Sequence, residues 1–368
     1  MKNAYSTWVH VNLDAIRNNV RWLIEQSRTP VMAVVKANGY GHGAVPVARA
    51  ALEGGAAWCA VARPDEALQL RQVGLDCPIL LLGYTPEARI GEMIANRVAL
   101  TVWDAEQVRL MAALAAESGN VARLHLKVDT GMSRLGVQAE EAASLAQAIA
   151  NTPNIFLEGI FTHFARADET NPSPTNAQES RFRAVLAQLD ERRLRPPQVH
   201  AANSAASLTR PGAHFNLVRL GIALYGLHPS PECPTPANFR PALAWKAVLS
   251  QVKTLPPGRG VSYGHSYITQ NHERIGTIPV GYADGFRRLP GQQVLVGGKR
   301  VPVVGRVCMD QIMVQLDGVP AAKAGDEVVL IGEQGGQRIT AEAVAAAWGT
   351  INYEVVCAIG PRVPRIYV

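Results

Sequence analysis

The sequence predicts an α/β protein in which an N-terminal (β/α)8 barrel is followed by a C-terminal, mostly β domain. Eight β-rich runs alternate with helical stretches before residue 230, and the rest of the chain is rich in strands joined by Gly and Pro turns. Alternating strands and helices indicate parallel pairing, and eight such units in about 200 residues fit a closed barrel. A doubly wound open sheet stays an alternative, because periodicity does not distinguish the two.

The predicted strands and helices follow each other in a regular order. The strands are the runs PVMAVVKA, AAWCAVA, CPILLLG, VALTVWD, ARLHLKVDTG, IFLEGIFTHFA, QVHAAN and NLVRLGIALYG. Between them, AEQVRLMAALAAESG has apolar residues at helical spacing, and Asp104 is its predicted N-cap. An earlier run, TWVHVNL at about residues 6–13, has no partner in this scheme and is a candidate to join the C-terminal domain.

A proline-rich stretch, PSPECPTPANFRPAL, marks the predicted domain boundary, because proline fixes φ and removes a hydrogen-bond donor. We place the barrel domain at residues 1–238 and the β-rich domain at residues 239–368. One helix, TAEAVAAAWG, interrupts the predicted strands of the second domain. Thr340 is its predicted N-cap and Gly349 its predicted end.

Composition excludes several classes of protein. The 368 residues contain no apolar run of the roughly 18 residues that a membrane span needs. The net charge of +6 comes from scattered Lys and Arg without interleaved aromatic residues, so a nucleic-acid partner is not expected. Five cysteines without CxxC spacing suggest neither disulfides nor a metal site. The N-terminus lacks the apolar core of a signal peptide, so we expect a cytoplasmic protein.

The stretch VVKANGYGHG places Lys36 at the end of a predicted strand and glycines at 39, 41 and 43 after it. The carboxyl ends of barrel strands form the active face, and glycine permits positive φ and close backbone approach. Neither the P-loop pattern nor the dinucleotide-binding pattern fits this spacing. Two interpretations stay open here: an exposed strand-end lysine with an ordinary turn, or a lysine that forms a Schiff base with an aldehyde.

Other predicted strand ends also carry polar groups, which favours chemistry at this face. Taken singly, His163 has a structural alternative as a buried core imidazole, and Arg134 as a solvated charge. The residues concerned are Lys127, Asp129, Arg134, His163, Asn203, Ser204 and Arg219, with Gly221 beside the last.

Nine stretches in this order resemble the alanine racemase family over essentially the whole chain. They are VVKANGYGHG, KVDTGMSRLG, THFARAD, ANSAA, VRLGIALYG, GVSYGHSY, VGYADGF, GRVCMDQ and INYEV. The resemblance implies a pyridoxal 5'-phosphate enzyme that interconverts L- and D-alanine by a two-base mechanism. It also implies a head-to-tail homodimer with shared active sites, supplying D-alanine for peptidoglycan or serving alanine catabolism.

The resemblance also implies roles for individual residues. Lys36 carries the cofactor as an aldimine and is one base, and Tyr263 of the neighbouring subunit is the other; the residues alone do not choose Tyr263 over Tyr267 or Tyr282. Lys127 is a candidate for carbamylation. The implied cofactor ligands are Tyr40, His163, Asn203, Ser204, Arg219, Gly221, Ile222 and Tyr353, and the implied substrate ligands are Arg134, Met309, Tyr282 and Asp310.

An unperturbed phenol titrates near pH 10, so Tyr263 needs nearby positive charge, for which His163 and Arg219 are the candidates. By resemblance Arg219 also faces the pyridine nitrogen. A guanidinium only donates, so that nitrogen is expected to stay unprotonated, which disfavours decarboxylation.

Three alternatives share parts of this pattern. A pyridoxal-phosphate carrier protein has the barrel and the lysine but no C-terminal β domain. A fold-related decarboxylase places a carboxylate where this chain has Arg219. A racemase of broader specificity differs mainly in being exported.

Overall fold

The computed structural model describes residues 4–368. Contacts divide them into a barrel unit, formed by Asp14–Gly39 and Gly43–Arg240, and a β-rich unit, formed by residues 4–13, Tyr40–His42 and Pro241–Val368. The fold class predicted from the sequence is confirmed. The domain border at 238/239 remains a proposal. In the described residues, no helix combines the length and apolar character needed to cross a membrane.

The barrel unit is built on one parallel sheet. The first strand of the chain, β1 (Thr7–Val11), lies in the β-rich unit, and the next nine are β2 (Val31–Val34), β3 (Trp58–Val61), β4 (Ile79–Leu81), β5 (Val98–Val102), β6 (Ala122–Asp129), β7 (Val137–Gln138), β8 (Ile155–Phe161), β9 (Gln198–His200) and β10 (Val218–Leu220). Eight of them pair in the order β10, β2, β3, β4, β5, β6, β8, β9, and β7 pairs with β6. Backbone hydrogen bonds from Asn216 N to Val199 O (3.3 Å) and from Arg219 N to Ala202 O (3.0 Å) join the two ends of the sheet. The barrel is therefore nearly closed.

Helices alternate with these strands, as the sequence pattern predicts. The Asp104 carboxylate accepts a hydrogen bond from Gln107 N (2.8 Å), which confirms this residue as an N-cap. The longer helices each bury one apolar stripe, since their apolar residues recur every three or four positions. The helices are Leu13–Ser27, Ala44–Glu53, Pro64–Gln72, Glu87–Ala95, Ala105–Glu117, Ala139–Ala150, Ser173–Glu191 and Ser204–Thr209.

The barrel core is mostly aliphatic, but it also contains ionisable side chains. Strands β2 to β5 are buried at every position, as strands covered on both faces must be. His125, Lys127, His200 and Arg219 are also buried, with 3% of Arg219 exposed. Because burying a charge or an unpaired polar group is unfavourable, these side chains need partners inside the barrel.

The β-rich unit contains eleven more strands and two helices. Its helices are Ala341–Trp348 and Asn352–Ala358, and its strands are β11 (Leu243–Val248), β12 (Gln251–Leu255), β13 (Gly260–Val261), β14 (Tyr267–Ile268), β15 (Glu273–Ile278), β16 (Gln293–Val296), β17 (Lys299–Val304), β18 (Ile312–Gln315), β19 (Glu327–Gln334), β20 (Gln337–Ile339) and β21 (Arg365–Tyr367). The main sheet has the order β12, β15, β18, β17, β16, β19, β11, β1, β21, and β20 pairs with β19. Strand β1 is thus antiparallel to β11 and parallel to β21. A separate hairpin joins β13 and β14.

The helix Ala341–Trp348 has both predicted end signals. Thr340 Oγ1 accepts from Ala343 N (3.0 Å), and Gly349 adopts φ 66° after the last turn. The following helix, Asn352–Ala358, was not predicted, because its sequence is short and contains two adjacent valines that also suit a strand.

Gly41 and Gly74 form a matched pair for testing one close contact. Both have a left-handed φ, of 80° and 78°. A Cβ on Gly41 would lie 2.2 Å from the Val356 carbonyl oxygen, whereas a Cβ on Gly74 meets nothing within 4 Å. We expect Gly74→Ala to lower the free energy of unfolding by about 1–2 kcal/mol. Gly41→Ala should lower it by about 1–3 kcal/mol more. Thermal unfolding measures both, and equal losses would contradict a steric constraint at Gly41.

Candidate active site

Lys36 stands just beyond the carboxyl end of β2, at the start of a left-handed turn. Ala37, Asn38 and Tyr40 have φ of 52°, 52° and 49°, and Gly39 between them has φ 61°. The left-handed conformation is unfavourable by roughly 1–2 kcal/mol for each residue with a Cβ. The sequence predicted positive φ only for the glycines, which is confirmed, but the strained residues around Gly39 were missed.

Hydrogen bonds hold this turn in place. Gly39 N donates to Val35 O (2.8 Å), and Gly43 N donates to Asn38 O (2.8 Å). The Asn38 side chain accepts from Ala44 N (3.0 Å) at the start of the next helix. Strain of this kind persists where surrounding bonds determine the conformation, and it concentrates at functional sites.

Arg219, on β10, is held by neutral acceptors. Its Nη1 donates to His200 Nδ1 (2.8 Å) and His200 O (3.0 Å). Its Nη2 donates to Thr162 O (2.8 Å), Ala201 O (2.9 Å) and His163 Nδ1 (3.3 Å). Among residues 4–368, no carboxylate forms an ion pair with Arg219 and no group accepts from its Nε. Burial lowers the pKa of Arg219 to about 9, so the guanidinium is still charged at pH 7.

A chain of donors runs from Arg219 into the barrel core. Because a guanidinium only donates, His200 Nδ1 must accept and its proton must sit on Nε2. His200 Nε2 then donates to His125 Nδ1 (2.9 Å), which leaves the His125 proton on Nε2, 3.7 Å from Glu158 Oε2. Although burial opposes it, the neighbouring His125 and Arg123 side chains lower the pKa of Glu158. We call Arg219, His200 and His125 the histidine chain.

His163 lies at the same face and is neutral. Burial, followed by the charges of Arg219, Lys127, Arg134 and Lys36, lowers its pKa well below the ordinary value. The sequence interpretation offered His163 as one source of positive charge for Tyr263. That part is wrong, because an imidazole with so low a pKa is uncharged at neutral pH.

Lys127, on β6, is buried beside other cations. Its Nζ lies 4.4 Å from the centre of the Phe161 ring. Burial, then the charges of Arg219 and Arg134, lower the pKa of Lys127 to about 7. About half of these amines are therefore neutral and nucleophilic at pH 7.

The loop after β6 is organised by Asp129 and displays Arg134. The Asp129 carboxylate accepts from the backbone N–H groups of Gly131 (2.9 Å), Met132 (3.0 Å) and Ser133 (3.0 Å). These bonds fix the loop, and the Arg134 side chain that follows is exposed. Asp129 is thus a structural residue of this stretch, and Arg134 is available to a ligand.

The predicted cofactor ligands in the segment after β9 also form hydrogen bonds within the chain. Asn203 caps the helix Ser204–Thr209 by accepting from Ala206 N (3.1 Å), so its amide oxygen already has an internal role. Ser204 Oγ accepts from Gly221 N (2.9 Å), which leaves the hydroxyl proton to donate to a ligand. Ile222 N–H lies next to this bonded pair in the chain.

In the β-rich unit, Tyr40 and Tyr353 lie together, with ring centres 6.2 Å apart. They are the two tyrosines predicted to bind phosphate. Tyr263, Met309 and Asp310 line one cavity of about 760 Å³ in the same unit. Tyr263 is 68% exposed and Met309 is 52% exposed.

The backbone on both sides of Tyr263 is strained. Ser262 has φ 66° and ψ −175°, a region that essentially only glycine favours, and His265 has φ 46°. The Ser262 hydroxyl donates to Arg306 O (2.5 Å) and so helps to fix this turn. The loop that exposes Tyr263 therefore has a fixed conformation.

The structure separates two of the three candidate tyrosines. The Tyr267 hydroxyl donates to a Glu273 carboxylate oxygen (2.5 Å). Burial and this carboxylate raise the pKa of Tyr267 to about 12, which makes it a poor base. Tyr282 stays a surface residue, and its N–H donates to Cys308 O (3.1 Å), next to Met309.

Several supporting residues were missed by the sequence interpretation. Arg362 Nε lies 2.9 Å from the Asp284 carboxylate, and its Nη2 lies 2.7 Å from that of Asp310. Arg362 therefore orients Asp310. His200 ends β9 as a polar residue at a strand terminus, a signal that was available for it. The pairing of Arg362 with residues 52 and 78 positions earlier leaves no local signal.

Comparisons with known proteins agree with this arrangement. Residues 11–229 match the family model described as alanine racemase, N-terminal domain, and residues 242–367 match the C-terminal domain. The alanine racemase of Desulfovibrio desulfuricans is 47% identical over 98% of both chains, and that of Geobacillus kaustophilus is 49% identical over 98% of this chain and 94% of the relative.

Solved structures agree over the whole length. Alanine racemase from Streptomyces lavendulae matches with a TM-score of 0.94 and 43% identity, covering 100% of this chain and 98% of the other. The Bacillus anthracis enzyme with bound L-Ala-P matches with a TM-score of 0.93 and 45% identity, covering 99% and 95%. A barrel with a strand-end lysine, continued by a β-rich unit with exposed tyrosines, defines the barrel-type racemases. Within that class, this chain belongs to the alanine racemase family.

The histidine chain yields a spectroscopic prediction. Burial and the charge of Arg219 lower the pKa of His200 well below its ordinary value. Between pH 7 and about 5.5, ¹⁵N resonances of His200 should therefore keep Nε2 protonated and Nδ1 unprotonated. Arg219→Met should raise this pKa. Protonation of His200 at about pH 6 in the unaltered protein would contradict the assigned donor direction.

Proposed function

We propose that this protein is an isomerase that interconverts L- and D-alanine. The main support is that Lys36 and the buried Arg219 both belong to one face of the barrel. In the described chain, Arg219 has no carboxylate partner. Family membership over the full length supports it. Since the enantiomers have equal free energy, the same site serves D-alanine supply for peptidoglycan and D-alanine catabolism. We propose a cytoplasmic location on the sequence features above.

Pyridoxal 5'-phosphate is the proposed cofactor, and when bound it supplies an electron-withdrawing group that acidifies the substrate Cα–H. The barrel residues fit it. Lys36 offers the amine, and Arg219 Nε–H offers a donor that is unused among residues 4–368. Ser204 O–H and the backbone beside Gly221 offer hydrogen bonds to a phosphate. Tyr40, Ile222 and Tyr353 stay predicted phosphate ligands, and Asn203 and His163 stay predicted cofactor ligands.

Arg219 should determine how the cofactor ring behaves. A guanidinium with a pKa of about 9 keeps its protons at pH 7 and donates to a ring nitrogen without protonating it. Arg219 therefore places a positive charge where a fold-related decarboxylase is expected to place a negative carboxylate. We infer that Arg219 favours return of a proton to Cα over loss of the carboxylate.

Racemisation needs one group that removes the Cα proton and another that delivers a proton to the opposite face. Lys36 is the proposed group on one face and Tyr263 the proposed group on the other. We infer that Tyr263 comes from the partner subunit of a head-to-tail homodimer, as the resemblance implies. Its exposure in a single chain agrees with such a role.

As the resemblance implies, the substrate carboxylate is proposed to bind Arg134 and the Met309 N–H, with Asp310 beside them and Tyr282 of the partner subunit narrowing the entrance. A small pocket favours alanine, although one extra or missing methylene changes binding by only about 1–3 kcal/mol. A broader-specificity racemase therefore differs from this proposal by degree, and assays with serine measure that difference.

Deuterium incorporation tests the function directly. Protein with added pyridoxal 5'-phosphate and L-alanine in deuterated water should produce D-alanine that carries deuterium at Cα, resolved by chiral separation and mass spectrometry. Tyr263→Phe should reduce the rate at least about 100-fold, whereas the matched Tyr267→Phe variant should lose less than about tenfold. Cofactor uptake without D-alanine would instead favour the carrier function.

Subunit mixing tests the shared site. Lys36→Ala and Tyr263→Phe proteins should each be inactive. Co-refolded in equal amounts, they should regain roughly a quarter of the unaltered activity, because half of the dimers are mixed and each has one intact site. No recovery, with mixed dimers verified by native mass spectrometry, would place both groups on one chain.

Lys127 provides a pH-dependent prediction. Attack of its neutral amine on CO₂ forms a carbamate and releases one proton, so uptake should rise with pH through the pKa of about 7. Intact mass spectrometry in bicarbonate should show the added mass of one CO₂, which is lost on acidification. Lys127→Gln is the control, and the same added mass in that variant would exclude Lys127 as the modified residue.

A further inference from the structure

Glu66 lies on the helix Pro64–Gln72 and accepts hydrogen bonds from two strand ends. Its Oε2 accepts from Ala62 N (2.8 Å) and Arg63 N (3.1 Å), just after β3. Its Oε1 accepts from Ala37 N (2.6 Å), the residue that follows Lys36. One carboxylate therefore ties the backbone beside Lys36 to the start of a neighbouring helix.

The hydrogen bond from Ala37 N to Glu66 takes the place of a backbone hydrogen bond between β2 and β3. The ladder between β2 and β3 continues to Val35 N, which donates to Ala60 O (2.9 Å). Beyond that rung the chain enters the left-handed turn, and the Ala37 N–H is satisfied by a side-chain carboxylate. Because bonds to an ionised acceptor are shorter and stronger than neutral ones, this acceptor suits a strained segment.

Helix capping accounts for only part of this geometry. A capping box needs the Glu66 contact to Arg63 N, and it places no requirement on a residue of another strand. The 2.6 Å contact to Ala37 N is the shortest of the three, yet it contributes nothing to the helix start. Its effect falls on the turn that carries Lys36.

We propose that Glu66 is a positioning residue for Lys36: its carboxylate fixes the Ala37 backbone and thereby the direction in which the lysine amine leaves the strand. The inference rests on the proposed function, in which Lys36 captures an aldehyde cofactor. It assigns Glu66 no contact with substrate or cofactor.

Two substitutions at Glu66 and one neighbouring control separate positioning from capping. Glu66→Asp keeps the charge and a good helix-start residue, but its side chain is one methylene too short to reach Ala37. Glu66→Gln keeps the length but replaces one acceptor oxygen by a donor. Asp65→Asn is the control, since it removes a charge from the same helical turn and its exposed carboxylate pairs with Arg89.

The first readout is cofactor capture by the full-length apoprotein. Pyridoxal 5'-phosphate is added, the Lys36 adduct is trapped by borohydride, and the modified peptide is quantified by mass spectrometry over time. Both Glu66 variants should react at least about tenfold more slowly than the unaltered protein, and Asp65→Asn should match it. The dissociation constant for the cofactor should be higher in both Glu66 variants than in the unaltered protein and in Asp65→Asn.

The second readout is steady-state kinetics with cofactor at saturation. A misdirected lysine should lower kcat for alanine about tenfold while KM changes little. Thermal midpoints of the apoproteins should agree within about 3 °C among the Glu66 variants and Asp65→Asn.

Each outcome has a distinct meaning. Glu66 variants that capture the cofactor at the unaltered rate, with only a lower thermal midpoint, would reduce Glu66 to a helix cap and overturn the inference. If the unaltered protein itself forms no adduct at Lys36, the proposed function fails, and the inference fails with it.

Discussion

The constraint on which the site depends is a guanidinium buried in a barrel core without a counter-ion in the described chain. Burying a charge without compensation is strongly unfavourable, so Arg219 must be surrounded by acceptors. Three backbone carbonyls and two imidazole nitrogens fill that role. The imidazoles can accept only while neutral, and the positive charge of Arg219 itself helps to keep them so. The same charge also disfavours the ammonium form of Lys127.

The backbone is strained beside both proposed bases. Lys36 enters a run of left-handed residues, and Tyr263 stands between Ser262 and His265, which both have positive φ. In each place side-chain hydrogen bonds hold the conformation. Glu66 and Asn38 accept from backbone N–H groups in one case, and Ser262 donates to a carbonyl in the other. Hydrogen bonds, and not the intrinsic backbone preferences of these residues, therefore set the direction of the two functional side chains.

Sequence reasoning recovered the features that depend on local patterns. Strand and helix alternation gave the barrel, the caps at Asp104 and Thr340 were correct, and the glycines after Lys36 have positive φ as predicted. It did not recover the histidine chain or the roles of Arg362 and Glu66, because these depend on side chains brought together from distant segments. The charge of His163 was also misjudged, since a pKa reflects burial and neighbouring charges that a sequence does not display.

The pairing of β1 has a consequence for synthesis of the chain on the ribosome. Strand β1 precedes every barrel strand in the chain, yet both of its neighbours, β11 and β21, follow them. All the barrel strands emerge before either partner exists. The nascent chain therefore carries an unpaired β1 until all the barrel strands have been made, which exposes this segment to chaperones and to premature association.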